Sequence, residues 1–349
     1  MAGMPWAVDL YAYRANRAAP IYLAYRGQIA EPELDRRADI RQNGRQHHCM
    51  LSPIFILGPT GCGKSGVAVA LAQLLGHAEI ISADAYQVYR AMPLLTAAPS
   101  AAEQGGVPHH LIGHLEVQEN NDAATHARNA QACIEAAQAR GNRPIITGGS
   151  GLYVRFISHG ISPAPPSDPA LRAKLMALPA EECVRRLQEA DPEGAAATNL
   201  QNPRYVVRNL EIVLLGGKPL SYWRNNWQPQ ACGPGFTLCR NVAELDARIA
   251  ARARSMLQNG AIEEVAALPA ELSPTAEKTL GLLQVRQHLR GELPRRELEQ
   301  MLALCTRQYA KRQRTWLRRE RWAQELAPAA TDTATQIATR IASMLKIQN

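Results

Sequence analysis

Apolar positions change their period several times along the chain, and each change marks an element. Pro53–Leu57 is a short apolar run ahead of a glycine-rich loop, the pattern of a buried strand, and Ser65–Leu75 then carries apolar residues at helical spacing. Ala78–Ser82 is a second strand-like run leading to Asp84. Ala123–Arg140 is a long amphipathic helix stopped by Gly141, and Pro144–Thr147 is a third run entering Gly148-Gly149-Ser150-Gly151. Strands that alternate with helices in this way predict βαβ units and a parallel sheet. After Ser162-Pro163-Ala164-Pro165-Pro166 the period is helical from Asp168 to Asn226, with no strand signal. Phe236–Cys239 can return to the sheet, and Val242–Asn259, Lys278–Arg290 and Arg295–Glu320 read as helices.

Gly58-Pro59-Thr60-Gly61-Cys62-Gly63-Lys64-Ser65 fits GxxxxGK[ST] in the context that gives the motif meaning, after a strand and opening a helix. Glycines let the loop curl so that backbone N–H groups face a phosphate. The helix dipole and Lys64 add positive potential there, and the Ser65 hydroxyl suits Mg²⁺. With it the fold class is an α/β, P-loop NTPase-like parallel-sheet core with a helical insertion. The expected organisation is an extension over 1–49, poorly ordered; a core over 50–165 and 236–325; an insertion over 166–235; and a tail over 326–349. Asp84 falls beyond a strand's carboxyl end beside the loop, where open α/β sheets bind ligands. It can hold Mg²⁺ through water, act as a base, or be a solvated loop residue.

The chain has 349 residues and a net charge of +8, and 46% of its residues are hydrophobic, enough for a sizeable core. No run approaches the roughly 20 apolar residues of a membrane span. Seven scattered cysteines form no CxxC pair, which excludes zinc-ligand spacing and a secreted disulfide scaffold and points to a reducing cytoplasm. The charge is concentrated between Cys305 and Trp322, where seven Lys or Arg residues accompany one acid, Glu320. Tyr309, Trp316 and Trp322 are interleaved with them. Cations for phosphates and aromatics for bases are the physics of RNA binding, although Trp316 can equally pack in the core. His109-His110 lacks a third ligand at metal-binding spacing, and Cys62 reads as a small spacer in its loop.

Further segments carry a resemblance. Asp84-Ala85-Tyr86-Gln87-Val88-Tyr89 with Thr96-Ala97-Ala98-Pro99, Pro108-His109-His110-Leu111-Ile112 and Gly148-Gly149-Ser150-Gly151-Leu152-Tyr153 resemble, in order, segments of the tRNA dimethylallyltransferases. So do Asn202-Pro203-Arg204 through Arg208-Asn209-Leu210-Glu211, and Thr306 through Gln313 with Thr315-Trp316. The similarity runs from about Pro53 to Arg321. The resemblance implies transfer of a prenyl group from dimethylallyl diphosphate to N6 of the adenosine beside the anticodon, by a monomer that binds the anticodon stem-loop and uses Mg²⁺. It implies the loop Gly58–Ser65 for diphosphate, Asp84 as base, and Lys64, Ser150 and Arg252 as further catalytic groups. Arg252 otherwise belongs to a solvated basic face with Arg248 and Arg254. For tRNA it implies Asp84, Ala85, Tyr86, Gln87, Arg172, Arg204, Arg208, Lys311, Arg312 and Gln313. Gln87 and Thr96 are candidates for holding the flipped base. Ala85, Ala98, Tyr205 and Leu282 depart from the family pattern, and the rivals are a tRNA-binding homologue without turnover and a small-molecule P-loop kinase.

Overall fold

The computed structural model describes residues 51–227 and 231–347, so the extension expected over 1–49 lies outside the described residues. Six strands form one parallel sheet: β1 (Ile54–Leu57), β2 (Ala78–Ala83), β3 (His109–His110), β4 (Arg143–Gly148), β5 (Gly235–Leu238) and β6 (Ala323–Leu326), in the order β3-β2-β4-β1-β5-β6. All four residues of β1 are fully buried. Alternate positions feed two cores: Ile54 and Ile56 join Ile80 and Ile145 on one face, while Phe55 and Leu57 join Ile81 and Ile146 on the other.

The first face is covered by α1 (Lys64–Leu75) with α10 (Val242–Gln258), α13 (Arg295–Leu317) and α14 (Ala334–Ile347). The second is covered by α3 (Ala123–Ala139) and α4 (Gly151–His159), α2 being the single turn Ala101–Gln104. Between α4 and β5 lie five helices, α5 (Pro169–Met176), α6 (Ala180–Ala190), α7 (Pro192–Ala196), α8 (Pro203–Gly216) and α9 (Leu220–Asn225), with their own core around Leu187, Val206 and Leu210. Their starts are legible in the sequence: Asp168, Asp191 and Asn202 cap α5, α7 and α8 with side-chain oxygens, each before a proline. Two helices, α11 (Ala261–Ala266) and α12 (Leu282–Leu289), connect α10 to α13.

Within the segment expected as a tail over 326–349, the described residues carry the helix α14. β6 closes one sheet edge, and α14 packs along α1 through Ile337, Ala338 and Ile341. The basic helix ends at Leu317, and the helix expected over Lys278–Arg290 is instead the end of a 3₁₀ turn, Ala276–Lys278, followed after Gly281 by α12. Trp316 and Trp322 are half-buried and pack against the core: Trp316 lies against Gly151, and Trp322 meets Phe55 edge-on at 5.3 Å. His110 Nε2 donates to Glu79 Oε2 at 2.6 Å on the sheet edge, and no metal-binding cluster of His, Cys, Asp or Glu occurs among the described residues.

Candidate active site

The phosphate loop follows β1, and Gly63 at its end has φ 90°, a left-handed conformation that glycine adopts without steric cost. Cys62 is buried, with its sulfur against Gly58, as a spacer would be. Each turn of the loop is pinned from outside. Thr60 N donates to Gln313 Oε1 (2.8 Å), Arg252 Nη1 to Thr60 Oγ1 (3.2 Å), Arg248 Nε to the Gly61 carbonyl (2.8 Å) and Arg240 Nε to the Cys62 carbonyl (2.8 Å). Gly149 lets the neighbouring turn approach, since a Cβ there would sit 2.3 Å from the Gly58 oxygen.

A cavity of about 360 Å³ opens on this loop. Lys64, Ser65, Arg248 and Arg252 line its phosphate side, and Asp84, Gln87, Thr96 and Tyr309 line the other. Asp84 sits one residue past β2. Its Oδ1 accepts the Tyr86 (2.9 Å) and Gln87 (3.4 Å) N–H groups, an Asx turn that fixes the carboxylate, and Oδ2 has no partner among the described residues. Gln87 bridges Ser82 Oγ and the Ala97 carbonyl, and Thr96 donates to the Met92 carbonyl. Burial pushes the Tyr309 hydroxyl upward, with the Asp84 charge adding to it, so Tyr309 stays a protonated donor. Burial lowers Arg252, which nonetheless stays cationic.

Several expected site residues stand elsewhere. Ser150 is buried behind the cavity wall, where its Oγ accepts from Ala85 N (3.3 Å) and pairs with the Tyr309 hydroxyl (3.0 Å); it positions the Asp84 turn and does not line the cavity. Gln313 is 3% exposed and holds the phosphate loop, so it is not available as an RNA contact. Arg172 and Arg208 both donate to the buried Glu211. Arg204, Lys311 and Arg312 are exposed, and Arg312 stacks over Tyr309 at 5.6 Å, beside the cavity. Ala85 needs only its backbone N–H for its contact, and Leu282 is a core residue. Sequence reasoning passed over Arg240 and the Asp332–Ile337 segment, which also line the cavity. Arg248 was legible: it lies four residues before Arg252, on the same helix face.

A model of the IPP transferases matches residues 87–320. The chain belongs to the IPP transferase family. It is 54% identical over 288 residues to the tRNA dimethylallyltransferase of Akkermansia muciniphila, covering 82% of this chain and 97% of that one. A tRNA dimethylallyltransferase of Anaeromyxobacter is 40% identical over 287 residues, 79% of this chain and 92% of the relative. Among solved structures, the tRNA isopentenylpyrophosphate transferase of Bacillus halodurans superposes with TM-score 0.61 at 29% identity, covering 85% of this chain and 98% of that chain. A eukaryotic dimethylallyltransferase acting on tRNA shares the fold, with TM-score 0.73 at 24% identity over 85% of this chain and 80% of its own. The family's fold is therefore the one the phosphate loop and βαβ pattern predict. No helix among the described residues is long and apolar enough to cross a membrane.

Proposed function

We propose that the protein transfers the dimethylallyl group of dimethylallyl diphosphate to N6 of the adenosine 3′-adjacent to the anticodon in tRNA, releasing diphosphate. The observation that carries this reading is one cavity with a phosphate cradle on one wall and a fixed carboxylate on the other. Loop N–H groups at the α1 N-terminus, with Lys64, Arg248 and Arg252, bind the diphosphate and receive the charge that gathers as the allylic C–O bond breaks. The adenine leaves its stack and enters beside Gln87, Thr96 and Tyr309. As N6 bonds to the allylic carbon, Asp84 Oδ2 accepts its proton. Ser150 and Gln313 act through Asp84's turn and the phosphate loop.

Mg²⁺ fits the donor set. Ser65 Oγ and the Asp84 carboxylate are hard oxygens on one cavity, with no cluster of three protein ligands among the described residues, so a cation there would take most of its ligands from diphosphate and water, as Mg²⁺ prefers. Bound with the substrate, it would neutralise charge on the departing diphosphate. Arg204, Lys311 and Arg312 offer cations to the anticodon stem-loop near the cavity, and Tyr86 and Tyr309 offer aromatic faces. One chain supplies both walls, so the monomer is the working unit, acting in the cytoplasm.

The test is incubation of unmodified tRNA with dimethylallyl diphosphate and Mg²⁺, followed by mass spectrometry of the nucleosides. Prenylated adenosine and released diphosphate are expected. Asp84→Asn should lower kcat by roughly 10²–10⁴ while tRNA still binds. Absence of prenylated adenosine with the unaltered protein, or equal turnover by Asp84→Asn, would refute the reading.

A further inference from the structure

A second pocket of about 200 Å³ lies on the reverse side of the phosphate loop, at the carboxyl ends of β5 and β6. Pro59 of the loop forms part of its wall. Thr237, Arg240, Arg314, Arg318 and Glu325 supply its polar groups.

Three observations set this pocket apart from an ordinary surface dent. Thr237 is 4% exposed, yet its Oγ1 has no hydrogen-bond partner. Buried hydroxyls are normally satisfied, so an unpaired one lining a pocket is a donor awaiting an acceptor. The side chains of Arg314 and Arg318, one turn apart on and just after α13, make no ion pair or hydrogen bond among the described residues. Most other arginines near the core are committed: Arg155 to Glu320, Arg172 and Arg208 to Glu211, and Arg240 to Glu244. Finally, open parallel sheets place ligands at the carboxyl ends of their strands, and this pocket is at that end, next to the strand that carries the phosphate loop. Glu325 is the one opposing charge, exposed at the rim.

We infer that this pocket binds a phosphate group, and that in the working enzyme the group belongs to the tRNA backbone. Thr237, Arg314 and Arg318 bring unpartnered donor groups to it, opposed only by the Glu325 carboxylate at the rim. Two free guanidiniums suit a tetrahedral oxyanion, which accepts every hydrogen bond they and the hydroxyl can give. Arg240 lines this pocket and the active-site cavity alike, with its Nε on the Cys62 carbonyl of the phosphate loop. A backbone phosphate seated here would therefore rest against the same loop that cradles the diphosphate. The assignment to RNA rests on the proposed tRNA substrate; the phosphate chemistry does not.

Thr237→Val tests it cleanly. The substitution removes only an unpartnered hydroxyl, so the melting temperature should hold or rise, whereas a structural hydroxyl would cost stability. Binding is measured with dimethylallyl diphosphate absent, by titrating an anticodon stem-loop and, separately, inorganic phosphate. Both Kd values should rise about tenfold in Thr237→Val. Arg318→Gln should flatten the plot of log Kd for the stem-loop against log salt by about one unit. Glu325→Gln should tighten both ligands. Weaker phosphate binding with an unchanged stem-loop Kd overturns the RNA assignment and leaves a site for free phosphate. Unchanged Kd values for both overturn the site itself. Prenyl transfer by the unaltered protein is a separate measurement, so failure of the proposed function and failure of this inference are distinguishable.

Discussion

Glu211 ties the helical insertion together, and removing its carboxylate should loosen that insertion alone. Its side chain is fully buried. Oε1 accepts from Ser167 Oγ and Asp168 N, both at 2.9 Å, and Oε2 from Arg172 Nη2 (2.6 Å) and Arg208 Nη1 (2.7 Å). One carboxylate thus joins the segment entering the insertion to α5 and α8. Breaking a buried pair costs about 3–5 kcal/mol, because it strands the remaining charge. Here the two stranded guanidiniums are 37% and 31% exposed and can be rehydrated, so Glu211→Ala falls at the lower end, about 3 kcal/mol. That corresponds to local opening about a hundredfold more frequent. Native-state amide exchange should show this acceleration across 169–225, with β1 and β4 unchanged. Stem-loop affinity should fall while diphosphate still protects the phosphate loop. Exchange in α8 that stays within a few-fold of the unaltered protein would refute the reasoning and make this network neutral to stability.

Other consequences are as direct. Gln313→Ala leaves the Thr60 N–H without its acceptor, worth roughly 1–3 kcal/mol, and should raise KM for dimethylallyl diphosphate more than it lowers kcat. Burial lowers His126 to about 4 from 6.5, so the unfolded chain takes up a proton first and stability falls as pH drops through that window. Between pH 7 and pH 5 this amounts to about 2 kcal/mol, and His126→Phe should show a smaller drop in melting temperature over the same interval. The Arg140 hydrogen bond, helped by Asn142 and His110, holds Glu79 at about 2, so a further loss of stability is expected between pH 4.5 and 2, weakened in Glu79→Gln. Gly149→Ala drives a Cβ into the Gly58 carbonyl and should destabilise the protein by roughly 1–3 kcal/mol or more, measured by thermal unfolding.

What could be read in advance follows from where the information resides. β1, the phosphate loop and α1 are legible because local chemistry specifies them: a buried run, glycines where φ is positive, then helical spacing. The cap residues of the insertion helices are local in the same sense. β3 and β6 carry no such signal. One is two histidines long, and the other, Ala-Gln-Glu-Leu, is an edge strand with both central residues exposed, so only pairing with a neighbour makes it a strand. The apolar spacing of α14 was present at Ile337, Ile341 and Leu345 but sits among threonines and alanines. The site divides likewise. Lys64, Ser65 and Asp84 announce themselves by motif and by position after a strand. Gln313 and Trp322 lie in a basic, aromatic segment that reads as an RNA surface, and only the three-dimensional packing turns them inward; for Trp316, where the segment left core packing equally open, it decides for the core. Arg240 acquires its role from a loop carbonyl 178 residues away.

The packing of α14 against α1 bears on how fragments of this protein should be judged. Asp332, Ala334 and Ile337 form part of the cavity wall, and the Ala329 carbonyl and the Cys62 carbonyl of the phosphate loop share one arginine, Arg240. A product ending shortly after residue 320, where the match to the family model stops, would retain the whole GxxxxGK[ST] sequence, Asp84 and the basic helix. It would nevertheless have a substrate chamber open along one side and an apolar stripe on α1 bare to water. Completeness of the motifs in a shortened reading frame is therefore a poor guide to a working enzyme.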